Sequence, residues 1–191
     1  MKNKIIKDAL ALTLITLVAG VALGGVYEIT KDPIAKQEAQ AKAEAYEQVF
    51  TDAAAFEEVE MDDTLIQTIR DQLDQEGYKA QSIEEVMRAE DQSGETLGYA
   101  FTVVTSEGYG GDIQFSMGVQ NDGTLNGISI LSIGETAGLG MNADTPAFKD
   151  QFVGKQVEKL QYTKNGATQD DEINAISGAT VTTNAMTNGV N

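Results

Sequence analysis

The sequence predicts an α+β protein in which an N-terminal transmembrane helix precedes one domain built from an antiparallel sheet with flanking helices. Three observations carry this expectation. An uncharged apolar run near the start is long enough to cross a bilayer, a central stretch alternates apolar and polar residues with a period of two, and helix-period segments lie on either side of that stretch. A length of 191 residues with 41% hydrophobic content suits one ordinary domain plus an appendage.

The apolar run comes first. Between Asp8 and Glu28 lie 19 residues without a formal charge, ALALTLITLVAGVALGGVY. At about 1.5 Å rise per residue they span the hydrocarbon core of a bilayer. Lys2, Lys4 and Lys7 precede the run, and acidic residues dominate the chain beyond it. The positive-inside rule therefore places the N-terminus in the cytoplasm and residues 28–191 outside, in a single-pass protein of the cell membrane. Tyr27 stands where an interfacial aromatic belongs, and Gly20 and Gly24 form a GxxxG spacing suited to packing on another membrane helix. A cleaved signal peptide is the competing reading. The run exceeds the usual apolar region of about 7 to 15 residues and lacks a small-x-small cleavage site before its charged flank.

Beyond the run, Asp32 and Pro33 fit an N-cap with proline at the first helical position, and IAKQEAQAKAEAYEQVF is rich in good helix formers. This predicts a solvated helical connector. A second helix is expected from Leu65 to Glu76, with Leu65, Ile69 and Leu73 four apart, Thr64 as its N-cap and Gly77 beyond its end. From Ile83 to Ile133 the period becomes two, and Asn121, Asp122 and Gly123 sit between two alternating runs, which predicts a hairpin within an antiparallel meander. A short helix over 146–152 and a strand turning at Asn165 and Gly166 come next. The expected organisation is a cytoplasmic N-terminus over 1–8, a transmembrane helix over 9–27, a helical connector over 28–62 and an extracytoplasmic domain over 63–191.

Composition excludes several chemistries. The absence of Cys removes disulfides, thiolate metal sites and thiol nucleophiles, and the absence of His removes the commonest general base and metal ligand. No metal site is expected. A formal net charge of −17 without any basic stripe argues against nucleic acid as a partner.

Two stretches remain that invite chemistry. GETAGLGMN packs Gly134, Gly138 and Gly140 around Glu135 and Thr136, leaving backbone bare where a flat ligand can approach; an ordinary connecting loop is the alternative. It has neither the spacing of a dinucleotide fingerprint nor the lysine of a P-loop. In INAISGATVTTNAM, Ser177 is a plausible N-cap of a short helix over 182–190. Thr180 then stands near the helix N-terminus, where free N–H groups and the dipole favour a phosphate. Taken alone, this stretch also reads as a plain helix cap.

The order of transmembrane run, YGG before a strand, GETAGLG and SGAT ahead of a short helix resembles the membrane-anchored FMN-binding G subunit of Rnf-type ion-translocating electron-transport complexes. It is similar also to the related C subunit of sodium-translocating NADH:quinone oxidoreductases. The resemblance covers essentially the whole chain. It implies that a flavin transferase joins FMN as a phosphoester to the hydroxyl of Thr180, with Ser177, Gly178 and Ala179 completing the recognition turn. It also implies that Glu135, Thr136, Gly138 and Leu139 line the flavin ring, with Tyr109 and Gly110 as secondary contacts. The implied function is an electron relay with no catalysis of its own, partnered by the other membrane subunits of a complex that couples ferredoxin and NAD electron transfer to sodium or proton translocation. Two positions depart from the family pattern: Asn174 replaces a common Asp, and Ala137 replaces the Pro of ETPGLG. The competing function is a membrane-anchored binding or structural module in which SGAT only caps a helix.

Overall fold

The structure, a computed structural model, describes residues 2–191, with side chains from residue 4 onward. Met1 and the side chain of Lys2, part of the basic flank, lie outside the described residues. The chain divides into two compact units, one ending at Ala41 and one running Lys42–Asn191.

Helix α1 spans Lys2–Val49. Among the described residues it is the one helix long and apolar enough to cross a membrane, with a mean hydropathy of 2.3 over its most apolar window. Its threonine hydroxyls are satisfied within the helix: Thr13, Thr16 and Thr30 donate to the carbonyls of Ala9, Leu12 and Val26 at 2.9, 3.0 and 2.9 Å. A helix that meets its own polar needs in this way is suited to hydrocarbon. The start expected at Asp32 does not occur. Pro33 lies inside α1, and although an interior proline costs about 3 kcal/mol, good helix formers follow it and carry the helix onward.

The second unit is built on a five-stranded antiparallel sheet. Its strands are β1 (Ala55–Glu58), β2 (Gln81–Glu90), β3 (Thr96–Thr105), β4 (Ile113–Gln120) and β5 (Leu125–Ile133), ordered as in the chain. The β4–β5 hairpin turns where Asn121, Asp122 and Gly123 predict it, with Gly123 at φ +86° and the Asp122 carboxylate accepting the Thr124 N–H at 2.9 Å. Strand β1 lies inside the stretch read as helical connector, because four residues carry too little alternation to be seen. Helix α2 (Asp63–Glu76) begins two residues earlier than Thr64 would set it: Asp62 is its N-cap, accepting the Leu65 N–H at 2.7 Å, and Gly77 closes it at φ +91°.

One sheet face receives the end of α1. Tyr46, Val49 and Phe50 are buried there, and the Phe50 ring lies so close to Gly98 and Gly118 that a Cβ on either would fall 2.9 Å from it. Polar groups line up across the same face. Glu85, Thr102, Ser116 and Ser129 are register neighbours on β2 to β5, and the end of α1 meets three of them through Lys42 to Glu85 (2.7 Å), Tyr46 to Thr102 (2.7 Å) and Gln48 to Ser129 (2.9 Å). Burial pushes the Tyr46 hydroxyl above its ordinary range, outweighing the opposing Thr102 hydrogen bond. Tyr46→Phe strands a fully buried Thr102 hydroxyl and is expected to lower stability by about 1 to 3 kcal/mol in denaturant titration.

The opposite face holds the larger core. Val103, Ile113, Phe115 and Ile128 pack with Phe148, Phe152, Ala185 and Met186. Helix α3 (Pro146–Lys149) runs into a 3-10 turn, Asp150–Phe152, so the short helix expected over 146–152 forms in two pieces. Strands β6 (Gln161–Thr163) and β7 (Glu172–Asn174) form a separate parallel pair. Gly166 turns at φ +91° as read from sequence, but residues 164–171 bring the chain back to run alongside β6. Helix α4 (Thr180–Val190) crosses the core face, and Gly189 allows it to lie against the Phe115 ring, which a Cβ there would approach to 2.9 Å.

Candidate functional site

Three segments meet at the start of α4. The first, residues 134–140, leaves β5 and makes a tight turn in which the Leu139 N–H donates to the Thr136 carbonyl at 3.1 Å. Gly138, at φ +74°, occupies the third position of that turn. This is the type II arrangement, which requires glycine there and favours proline one residue earlier, where this chain has Ala137. The second segment, residues 108–111, approaches the first closely: a Cβ on Gly110 would lie 2.9 Å from the Gly134 carbonyl carbon. The third is the turn 175–179 leading into α4.

That turn is not capped as the sequence suggests. Ser177 is exposed, and the N-cap position falls to Ala179, which has no side-chain cap. Thr183 does the work from inside the helix. Its hydroxyl accepts the Ile176 N–H at 3.0 Å and donates to the Ala179 carbonyl at 2.9 Å. The Thr183 N–H closes the first helical turn on Ala179 at 3.0 Å. The N–H groups of Thr180, Val181 and Thr182 therefore have no acceptor within the helix, and the dipole adds a partial positive charge beside them.

Together the segments enclose a cleft of about 630 Å³, lined by Tyr109, Glu135, Thr136, Leu139, Gly140 and residues 178–182. Of the residues singled out from sequence, Thr180, Gly178, Ala179, Glu135, Thr136, Leu139 and Tyr109 come together here. Ser177, Gly138 and Gly110 do not line it: Gly138 makes the turn, and Gly110 donates its N–H to Glu135 Oε1 at 3.1 Å. Gly140, one of the glycines of GETAGLGMN, lines it as well, and Val181 and Thr182 join the lining without having been singled out as contacts. Their place depends on how α4 seats on the sheet, which no local pattern reports. Asn174 lies outside the cleft, its side-chain oxygen accepting the Ala167 N–H at 2.6 Å. A carboxylate oxygen at that position can accept the same bond.

The hydroxyls of α4 differ sharply in what they do. Thr182 and Thr183 are fully buried, and Thr182 donates to Glu135 Oε2 at 3.0 Å. Thr187 is buried and donates to the Thr183 carbonyl at 2.8 Å. Thr180 is half-buried at the edge of the cleft, and its hydroxyl has no partner among the described residues. It is the one α4 threonine whose hydroxyl is without a hydrogen-bond partner among the described residues.

Comparison with known proteins assigns both ends of the chain. Residues 1–49 match the RnfG N-terminal region and residues 108–191 match the FMN-binding domain. A relative from Acetobacterium woodii, the G subunit of the Na(+)-translocating ferredoxin:NAD(+) oxidoreductase complex, is 33% identical over 98% of this chain and 88% of its own. The chain belongs to this G-subunit family. A second member, the G subunit of the proton-translocating ferredoxin:NAD(+) oxidoreductase complex of Clostridium ljungdahlii, is 29% identical over 99% of this chain and 89% of its own. Fold similarity extends to the C subunit of the Na(+)-translocating NADH-quinone reductase of Parabacteroides distasonis, with a TM-score of 0.50 at 22% identity over 72% of each chain.

The site's residues fit the cofactor that the matched domain is named for. A phosphate at the start of α4 would meet three helix-start N–H groups and the unpartnered Thr180 hydroxyl. Tyr109 (76% exposed), Val181 (50%) and Leu139 (42%) offer apolar surface around the cleft for a flat ring. No Lys or Arg lines the cleft, so a phosphate bound here is met by backbone N–H groups and the dipole.

Proposed function

We propose that this chain is the FMN-carrying electron-transfer subunit of a membrane complex that couples ferredoxin:NAD electron transfer to ion translocation, with the FMN held as a phosphoester on Thr180. The observation that carries the attachment is the free Thr180 hydroxyl, beside unpartnered helix-start N–H groups in a family whose C-terminal half is an FMN-binding domain.

When bound, the flavin supplies the electron-transfer chemistry. The chain's own residues tether, orient and shield it. Thr180 provides the oxygen of the ester, and the N–H groups of 180–182 stabilise the phosphate that the ester keeps. Leu139, Val181 and Tyr109 give the ring an apolar seat. A tether at the phosphate end leaves the ring free to exchange electrons and prevents loss of the cofactor by mass action where free FMN is scarce. In this reading a flavin transferase completes the subunit, and the remaining partners are the other subunits of the complex.

The test is coexpression of the full chain with a flavin transferase. The denatured protein band should fluoresce under ultraviolet light, and mass spectrometry of a digest should place one FMN on the peptide holding Thr180. A non-fluorescent band of unmodified mass overturns the reading.

The topology belongs to the same proposal: α1 anchors the chain in the membrane with its N-terminus inside and residues from 28 onward outside. Protease added to intact spheroplasts should digest the second unit. Protection there, with digestion in inverted vesicles, reverses the orientation.

A further inference from the structure

Glu135 is the one charged residue lining the cleft, yet both of its oxygens are engaged by the protein itself. It is 8% exposed, Oε1 accepts the Gly110 N–H at 3.1 Å, and Oε2 accepts the Thr182 hydroxyl at 3.0 Å. The backbone around it is bare on two sides. A Cβ on Gly140 would lie 2.6 Å from Thr182 Oγ1 and collide with Glu135 itself, and one on Gly108 would lie 2.9 Å from Glu135 Oε1. These are the dimensions of a seat built for one carboxylate. Its two bonds join segments distant in sequence: Gly110 adjoins Tyr109, and Thr182 lies two residues beyond Thr180.

We infer that Glu135 is a positioning residue: by tying the Tyr109 loop to the start of α4 it sets the gap between Tyr109 and the apolar wall of Leu139 and Val181, and so holds the flavin ring in one orientation. The inference rests on FMN being tethered at Thr180. It separates a structural role from an electrostatic one, because the two respond differently to substitution. An amide can keep both bonds. In Glu135→Gln the side-chain oxygen accepts from Gly110, which can only donate, and the amino group donates to the Thr182 hydroxyl, which turns to accept. Glu135→Ala removes both bonds, and Thr182→Val removes one while keeping the shape of the side chain.

The experiment uses the full chain coexpressed with a flavin transferase and purified in detergent. Flavin content is read from the fluorescence of the denatured band, ring immobilisation from visible circular dichroism and flavin fluorescence anisotropy, and folding from far-ultraviolet circular dichroism. Glu135→Gln should retain the visible dichroism and anisotropy of the wild type. Glu135→Ala and Thr182→Val, folded and loaded with flavin, should lose the visible bands, with anisotropy falling toward that of the denatured flavinylated chain. Where Glu135→Ala fails to fold or to load, Thr182→Val decides. Wild-type signals in Thr182→Val and Glu135→Ala overturn the inference, and so does loss of signal in Glu135→Gln alone, which marks an effect of charge. A wild-type chain that carries no flavin overturns the functional reading, and this inference with it.

Discussion

Thr180→Ala is expected to leave the chain folded and wholly without covalent flavin. The hydroxyl removed makes no hydrogen bond among the described residues and is half-exposed, so the change in stability should stay within about 0.5 kcal/mol. The ester, by contrast, depends on that single oxygen. Thr180→Ser restores an oxygen on the same Cβ and should recover fluorescence of the denatured band. Thr182 and Thr183 cannot substitute for it, since both are fully buried and their hydroxyls are committed to Glu135 and to the turn ahead of α4. A denatured Thr180→Ala band that still fluoresces would move the attachment to another residue. Comparison of the two variants with the wild type, at equal protein load, is sufficient.

Phe115→Ala is expected to cost about 3 to 5 kcal/mol, the range for emptying a buried aromatic site. Phe115 is fully buried on β4, in the core that receives α4, and its ring lies against that helix at Gly189. The loss is a large part of the roughly 5 to 15 kcal/mol by which domains are stable. Chemical denaturation should show the midpoint falling with the slope unchanged. The helix that loses its support is the one that carries Thr180, so flavin loading should fall with stability as temperature rises. A midpoint within experimental error of the wild type would mean that α4 is held by its polar contacts instead, through Thr182, Thr183 and the Glu107 pairings with Asn184 and Asn188.

The sequence determines the features whose physics is local. The length and lack of charge of residues 9–27, the Asn-Asp-Gly hairpin between β4 and β5 and the presence of a C-terminal helix beside SGAT each depend on a few adjacent residues, although that helix starts at Thr180, two residues ahead of the expected Thr182. The family resemblance added a chemistry to those places. Where local reasoning failed, the competing influence came from elsewhere in the fold or from context beyond the immediate motif. Asp32 and Pro33 read as a helix start, but α1 already runs ahead of them and the helix formers that follow carry it onward. Ser177 reads as a cap, but Thr183 reaches back to satisfy the turn.

Only the tertiary structure decides which hydroxyl is free. Thr180, Thr182, Thr183 and Thr187 are the same residue type in one short helix, with similar intrinsic preferences. They are told apart by partners that approach from other segments: Glu135 takes Thr182, the Ile176–Ala179 turn takes Thr183, and the sheet beneath buries three of the four. The Glu135 seat is of the same kind, joining Gly110 and Thr182 through a carboxylate far from either in sequence. A buried polar group must find its partner wherever the chain packs, and that partner's sequence distance is unconstrained.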